Sequence, residues 1–153
     1  MPSSEFLTRP GSIWEQYTSY DKPPEIVRVE METQLLSNYV PPDGVRWELG
    51  ECGGIKGKWV FPKEKPDQVL LYFHGGGFTL GSSGIPIPFL CELSRRLNLA
   101  CFSADYRLAP ENPFPAGVND CVSAYEGLLS VGYADVIIGL NPESLVNTGV
   151  PLI

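Results

Sequence analysis

The feature that most constrains the fold is a continuous apolar run, QVLLYF at residues 68–73, which ends directly in His74-Gly75-Gly76-Gly77. An apolar run without alternating polar residues is typical of a central strand that is buried on both faces. Consecutive glycines after such a strand let the backbone approach a ligand closely, because no β-carbon stands in the way. The run therefore predicts a buried strand followed by a loop that presents its backbone.

Helix and strand patterns alternate after this loop. The segment IPFLCELSRRL (87–97) has apolar residues at helical spacing and basic residues in its last turn, which suit a helix C-terminus. A second apolar run, LACFSADY (99–106), precedes a helical pattern that begins near Pro113 or Pro115 and ends at Gly132. The sequence ADVII then begins another strand. This alternation predicts an α/β fold, a mostly parallel sheet with flanking helices.

The N-terminal part has a different pattern of apolar residues. Residues 23–39 have enough apolar recurrence for one amphipathic helix, which the turn Pro-Pro-Asp-Gly at 41–44 ends. The segments VRWELG (45–50) and GKWVFP (57–62) predict two short strands joined in a hairpin.

Composition excludes several classes of protein. The 153 residues carry a net charge of -7, which argues against nucleic acid and anionic membranes as partners. The 43% hydrophobic and 19% charged content is typical of a globular domain. The sequence contains no apolar run of membrane-spanning length and no secretory signal at its start, so we expect no membrane span.

Four cysteines, Cys52, Cys91, Cys101 and Cys121, show neither CxxC pairing nor the spacing of zinc ligands. Most of them fall in predicted buried elements, which favours reduced, packed thiols over disulfides. This usage predicts a cytoplasmic protein.

The glycine loop itself suggests chemistry. Consecutive backbone N–H groups can converge on one oxygen and form an anion-binding site. In an enzyme, such a site is best suited to stabilise the oxyanion of a tetrahedral intermediate. A merely flexible turn is the alternative. A phosphate-binding loop is excluded because no G-K-[ST] follows, and a dinucleotide fingerprint because position 80 is leucine.

Three segments together resemble the hormone-sensitive-lipase-like carboxylesterases, the alpha/beta hydrolase fold-3 family. They are HGGGF from His74, DYRLAPENPFPA at residues 105–116, and ND…AYE at residues 119–126. The resemblance covers about residues 45–138. It implies the N-terminal part of an α/β-hydrolase fold, with a cap-like segment at 1–44, the N-terminal half of the core at 45–138 and a divergent tail at 139–153.

The resemblance also implies roles for single residues. The amides of Gly76 and Gly77 would form the oxyanion hole, with His74 and Gly75 as orienting residues of the same motif. Tyr106, Arg107 and Glu111 would be scaffold near the floor of the site, and the helix at 23–39 would cover an acyl pocket. The implied substrate is a small carboxylic ester, and no cofactor or metal is implied.

Acyl transfer in this fold requires a G-x-S-x-G serine, followed by an acid and a histidine. The sequence has no such motif; Gly81-Ser82-Ser83-Gly84 comes nearest and has the wrong spacing. Its only histidine, His74, already belongs to the glycine loop. We therefore predict that nucleophile, acid and base are all absent, that the chain is an inactive N-terminal fragment, and that its short fifth strand leaves an edge prone to aggregation.

Three hypotheses follow from the sequence. The first is a serine carboxylesterase of which this chain is an incomplete part. The second is a non-catalytic relative that binds a small molecule, and the third is a degenerate remnant without a biochemical role. Oligomeric state is not predicted.

Overall fold

The computed structural model of this protein describes residues 22–64, 66–133 and 135–141. Half of the predicted cap-like segment, residues 1–21, and most of the predicted tail, residues 142–153, lie outside this range. The described elements are, in chain order, α1 (Pro24–Leu36), β1 (Val45–Cys52), β2 (Ile55–Pro62), β3 (Val69–Phe73), α2 (Ile87–Leu97), β4 (Ala100–Ala104), α3 (Ala116–Ser130) and β5 (Val136–Leu140).

The five strands form one sheet in the order β1-β2-β4-β3-β5. The hairpin β1–β2 and the pair β2–β4 are antiparallel, whereas β3 pairs in parallel with β4 on one side and with β5 on the other. Leu70 lies opposite Cys101 in β4 and opposite Ile137 in β5. The α/β fold is confirmed, and β3 lies between β4 and β5.

Helices cover both faces of this sheet. Leu71 and Phe102 point into a core that includes Leu128 of α3. Leu70, the next residue of β3, points into a second core that includes Ile87 and other residues of α2. The side chains of a strand alternate between faces, so an apolar residue at every position of β3 serves both cores.

Predicted and observed boundaries agree most closely where apolar periodicity is strong. Helix α2 has the predicted bounds, 87–97. Helix α1 ends at Leu36 instead of residue 39, because the chain turns at Ser37 and the amide of Tyr39 donates to the carbonyl of Leu36.

Strand β5 continues to Leu140, two residues beyond the boundary predicted at Ile138. Gly139 makes this continuation possible, since a β-carbon there would lie only 2.8 Å from the ring of Tyr72 on β3. The first residues of the predicted tail are therefore part of the sheet.

All four cysteines are free, as the sequence predicts: Cys52, Cys91 and Cys101 are buried and Cys121 is partly buried. Burial raises the pKa of the Cys101 thiol to about 12, so this group is a packed thiol rather than a reactive thiolate. Within the described ranges, no helix is long and apolar enough to cross a bilayer.

Candidate oxyanion site

The glycine loop leaves the sheet at the carboxyl end of β3. Strands β4 and β5 run parallel to β3, so their carboxyl ends lie at the same edge. Ligands of open α/β sheets bind outside this edge. The topology thus brings three segments together: residues 74–77, the segment that starts at Asp105, and Asn141.

The loop backbone adopts a conformation that favours glycine. Gly76 and Gly77 have φ angles of +124° and +60°. The carbonyl of Gly76 accepts hydrogen bonds from the amides of Thr79 and Leu80 at 3.1 and 2.9 Å, which closes a tight turn. A β-carbon at position 76 would collide with the carbonyl group of Leu80, whereas one at position 77 would meet nothing within 4 Å.

The turn leaves the amides of both glycines available. Neither amide donates a hydrogen bond to any residue in the described part of the chain. Gly76 is partly exposed and Gly77 is exposed. A backbone N–H that finds no partner within the protein needs one from water or a ligand. Two adjacent donors are therefore available for an external acceptor.

His74 anchors the start of the loop. Its imidazole is buried, with 3% exposed, and stacks on the ring of Tyr106 at 4.4 Å. Nδ1 lies 2.8 Å from the carbonyl oxygen of Gly75, and a carbonyl only accepts, so Nδ1 carries the proton. The Tyr106 hydroxyl donates to the carbonyl of His74 at 2.5 Å.

Burial lowers the pKa of His74 below its ordinary value of 6.5, and the hydrogen bond to Gly75 offsets this only in part. His74 is therefore neutral near pH 7 and is engaged on both its ring face and its Nδ1 atom. It holds the loop in place and is poorly placed to act as a general base.

Three cavities lie beside the loop. One, of about 250 Å³, is apolar and is lined chiefly by Phe73, Phe78, Tyr106, Val118, Ile138 and Leu140. A second, of about 280 Å³, has charged residues in its lining, among them Arg28, Glu32 and Asp105. A third, of about 270 Å³, is lined by Gly75, Phe89 and Asn141 among others. His74 lines all three, so the site offers both apolar and charged compartments around this residue.

Arg28 connects α1 to this site. Its Nε donates to the carbonyl of Thr79 at 2.8 Å and its Nη2 to the carbonyl of Ala109 at 2.7 Å. The same guanidinium forms an ion pair with Glu111 at 3.0 Å. One side chain thereby fixes α1, the glycine loop and the segment after β4 relative to one another.

A second polar connection lies deeper. The ammonium group of Lys58 on β2 pairs with Glu32 of α1 at 2.8 Å and donates to the hydroxyl of Ser83 at 2.9 Å. Ser83 donates from both its amide and its hydroxyl to Asp105 at 2.7 Å. Burial opposes ionisation of Glu32, yet hydrogen bonds from Lys58 and Ser82 outweigh it and hold the pKa of Glu32 below its usual value.

The three residues expected to be scaffold have structural contacts. Tyr106 is buried under the loop. Arg107 forms an ion pair with Asp120 of α3 at 2.7 Å, and Glu111 pairs with Arg28. No group of three or more His, Cys, Asp or Glu side chains among residues 22–64, 66–133 and 135–141 could hold a metal ion.

Asn141 lies where β5 ends. Its backbone amide donates to the carbonyl of Phe73 at 3.4 Å. A β-carbon added at Gly75 would lie 3.1 Å from the side-chain Cγ of Asn141. The first residue after β5 therefore packs directly against the glycine loop.

Sequence reasoning did not identify Arg28, Lys58 and Asp105 as parts of this site. Lys58 offered the one usable signal, because it lies within a predicted strand of the sheet and a lysine at a buried position requires a partner. Arg28 lies 51 residues from Thr79 and 81 from Ala109, so no local pattern could have connected them.

Residues 70–146, about half of the chain, match the protein family described as alpha/beta hydrolase fold. This match continues past Ile138, where the sequence resemblance was expected to stop.

Two curated proteins illustrate the similarity. The chain is 33% identical over 125 residues to an acetyl-hydrolase of Streptomyces hygroscopicus, covering 82% of this chain and 38% of that protein. It is 32% identical over 121 residues to the hormone-sensitive lipase of Homo sapiens, covering 77% of this chain and 10% of the lipase. The chain thus spans well under half the length of either relative.

Solved structures agree. A hormone-sensitive lipase from a metagenome library superposes with a TM-score of 0.73 at 32% identity, covering 92% of this chain and 51% of that one. A mutant of the esterase E40 superposes with a TM-score of 0.71 at 34% identity, covering 83% of this chain and 44% of the esterase chain. The chain belongs to the hormone-sensitive-lipase-like branch of the alpha/beta hydrolase fold family.

Proposed function

We propose that this chain supplies the oxyanion-binding half of a carboxylic-ester hydrolase. The amides of Gly76 and Gly77 would bind the carbonyl oxygen of an ester, with His74 and Gly75 holding the loop. The apolar cavity beside Phe78 would accept the acyl chain. The substrate is then a small-molecule ester, handled without a cofactor or metal by a protein of the cytoplasm.

One observation carries this proposal: two consecutive glycine amides at the carboxyl end of a central strand have no acceptor in the described part of the protein. His74 and Phe78, which flank the glycines in sequence, line an apolar cavity of about 250 Å³. Donors prearranged in this way bind an oxyanion better than water does, because they need no reorganisation when the charge develops.

The full reaction requires more than this half-site. A serine oxygen bonds to the ester carbonyl carbon, the carbonyl electrons move to its oxygen, and the alcohol leaves with a proton as the carbonyl re-forms. Water then releases the acid and restores the serine. The residues present here would stabilise the two oxyanions, each donor contributing about 2.7–4 kcal/mol.

The nucleophile, acid and base would have to come from residues other than these 153, whose sequence contains no G-x-S-x-G and no second histidine. We therefore expect the chain as given to bind an ester or carboxylate without turning it over. A purified sample should hydrolyse p-nitrophenyl butyrate no faster than buffer does and should not react with a serine-directed fluorophosphonate. Brisk hydrolysis that the fluorophosphonate abolishes would contradict this expectation.

The coding sequence downstream of the Ile138 codon provides the direct test of the ester-hydrolase proposal. A reading frame that encodes G-x-S-x-G, then an acid and a histidine, should give an active esterase. In that longer protein Gly76→Ala should lower kcat by about 10²–10³-fold. Failure to find the motif, or full activity of the variant, would reject the proposed role.

A second candidate is a receptor that binds a small carboxylate or ester and has no catalytic role. The buried, neutral state of His74, with its ring face and Nδ1 engaged, favours it, because this histidine is then poorly placed to act as a base. A longer chain in which the nucleophile or the base is replaced, with saturable binding of butyrate, would support this candidate over the esterase.

A further inference from the structure

The direction of the Gly77 N–H is set by a neighbouring carbonyl. In a planar trans peptide, the carbonyl of one residue and the N–H of the next point in opposite directions. The N–H of Gly77 therefore takes its direction from the carbonyl of Gly76. Thr79 and Leu80 both donate to that carbonyl from their backbone amides, at 3.1 and 2.9 Å. The orientation of this donor thus depends on how firmly residues 79 and 80 are held.

Arg28 of α1 holds the peptide group between Thr79 and Leu80. Its Nε donates to the carbonyl of Thr79 at 2.8 Å. The N–H of Leu80 is at the opposite edge of the same peptide group, and it is the group that donates to Gly76. The hydrogen bonds therefore run in series from Arg28 through two peptide groups to the N–H of Gly77.

The same guanidinium supports the second amide that holds Gly76. Nη2 of Arg28 donates to the carbonyl of Ala109 at 2.7 Å. The amide of Ala109 donates to the carbonyl of Phe78 at 2.8 Å, and that carbonyl belongs to the same peptide group as the N–H of Thr79. Both hydrogen bonds to Gly76 are thus supported by Arg28, one directly and one through Ala109.

Arg28 is itself fixed in position. It forms a bidentate pair with Glu111, at 3.1 Å from Nη1 and 3.0 Å from Nη2. The arginine side chain is only 17% exposed, so water competes little for its donors. A guanidinium presents its donors in a rigid fork, which the ammonium group of a lysine cannot reproduce. The contacts to two carbonyls and one carboxylate therefore require arginine.

A cation at the start of such a series strengthens the donor at its end. Hydrogen bonds to ionised groups are about twice as strong as those between neutral groups. Bonds in a chain also polarise one another, by about 10–30% per bond. The positive charge of Arg28 draws electrons toward itself along each peptide group, which makes the Gly77 proton more positive.

The N–H of Gly76 is oriented by a different group. It shares a peptide group with the carbonyl of Gly75, to which Nδ1 of His74 donates at 2.8 Å. This arrangement does not pass through residues 79 and 80. Arg28 should therefore act mainly on one of the two donors, and the other provides an internal reference.

We propose that Arg28 is a positioning residue of the oxyanion site, which orients and polarises the N–H of Gly77 through two peptide groups. This inference rests on the proposed function, because it names the residue that would make one of the two glycine amides a strong donor. It gives α1 a part in binding the oxyanion in addition to covering a pocket.

NMR of the ¹⁵N-labelled 153-residue chain tests the proposal before any ligand is added. Arg28→Met should move the amide protons of Leu80 and Gly77 upfield, because their hydrogen-bond series loses its cation. The amide proton of Gly76 should move less. A helix that merely loosened would not select Gly77 over Gly76. Equal shifts of the two glycines, or no shift of Gly77, would overturn the proposal.

Two further variants serve as controls. Lys22→Met removes the cation of an exposed pair with Glu30 of α1 at 2.7 Å, and it should leave both glycine signals unchanged. Arg28→Lys keeps the charge but loses the fork, so it should shift Gly77 in the same direction by a smaller amount. An effect of Lys22→Met as large as that of Arg28→Met would contradict the proposal.

Couplings across hydrogen bonds keep the test decisive if the Arg28 variants do not fold. In the ¹³C,¹⁵N-labelled wild-type chain, ¹⁵N–¹³C′ couplings should connect Arg28 Nε with the Thr79 carbonyl and the Leu80 amide with the Gly76 carbonyl. Couplings between β3 and β4 provide the reference in the same spectrum. If those sheet couplings are observed and either loop coupling is absent, the proposed series does not exist.

Titration with methylphosphonate separates this inference from the proposed function. Arg28→Met and Arg28→Lys should weaken binding roughly 2–30-fold, whereas Lys22→Met should not. If the wild-type chain does not bind the phosphonate at its glycine amides, the proposed function fails, and the shifts of the free chain still decide the role of Arg28. If wild type and Arg28→Met bind equally well, the role of Arg28 is refuted and the oxyanion site stands.

Discussion

At the scale of single residues, the site depends on backbone conformation more than on side-chain chemistry. Gly76 and Gly77 have positive φ angles, and Phe78 continues the left-handed stretch with a φ of +59°. A left-handed conformation costs a residue that has a β-carbon about 1–2 kcal/mol. Phe78 accepts this cost while its carbonyl binds the amide of Ala109 and its ring packs edge-on against Tyr106.

The two glycines should respond differently to alanine. Gly77→Ala should lower the free energy of unfolding by about 1–2 kcal/mol, since only the φ angle opposes the methyl group. Gly76→Ala should cost roughly 3 kcal/mol or more, because its β-carbon also meets the backbone of Leu80. Urea unfolding measures both values, and equal losses would show that the tight turn at Gly76 is not formed in solution.

His74 should give stability a pH dependence. Its pKa is lowered in the folded chain, so the unfolded chain binds the extra proton first as pH falls below 6.5. The contribution of neutral His74 is fully present above pH 6.5 and is lost as pH falls through the folded pKa. Urea unfolding from about pH 7 to pH 5 should show a steeper loss for wild type than for His74→Gln, which has no group titrating in this range. If the unfolding free energies of wild type and His74→Gln fell equally with pH, His74 would not have a lowered pKa in the folded chain.

At the scale of elements, polar contacts connect α1 to the sheet and to the loop that follows β3. Arg28 and Glu32 lie one turn apart on α1, and each contacts residues that are distant in sequence. The amphipathic pattern of this helix is weak, with Val27 and Met31 its only two buried residues. Its position therefore depends on ion pairs to an unusual degree.

Removing Lys58 should reveal this dependence. Lys58→Met removes the buried cation that pairs with Glu32. We expect the free energy of unfolding to fall by roughly 1–3 kcal/mol, because Glu32 and Ser83 lose a charged partner while Glu32, 27% exposed, keeps part of its hydration. Arg95→Met removes the cation of a pair with the same 2.8 Å separation, Arg95 with Glu92, on the exposed face of α2. That control should change stability little. Similar effects of the two variants would show that the Lys58 pair is solvated.

These elements also show what the sequence could predict. Strand β3 and helix α2 could be predicted from local apolar patterns. A strand buried on both faces is apolar at every position, whereas a helix buried on one face is apolar at every third or fourth position. The contacts of Arg28 and Lys58 could not be predicted in this way, because they depend on which distant carbonyl or carboxylate the completed fold brings near. The His74–Gly77 motif was recognisable, whereas the stacking of Tyr106 on His74 required the structure.

At the scale of the whole molecule, the two outer strands of the described sheet differ in charge. Strand β1 carries Arg46, Glu48 and Glu51, whereas β5 carries no charged residue and exposes Ile138. An uncharged, exposed outer strand favours aggregation. The 153-residue chain should therefore scatter light on heating, and Ile138→Glu should scatter less, whereas Leu49→Glu on β1 should behave like wild type. A sharp, reversible thermal transition of a wild-type monomer without scattering would contradict this expectation.

We propose that the amides of Gly76 and Gly77 together bind a negatively charged acyl oxygen. An NMR titration of the ¹⁵N-labelled chain with a short alkylphosphonate, a stable tetrahedral anion, tests it most directly. We expect saturable downfield shifts of the Gly76 and Gly77 amide protons, which should be absent in Gly76→Ala. Shifts confined to other residues, or an unaltered response in the variant, would contradict it.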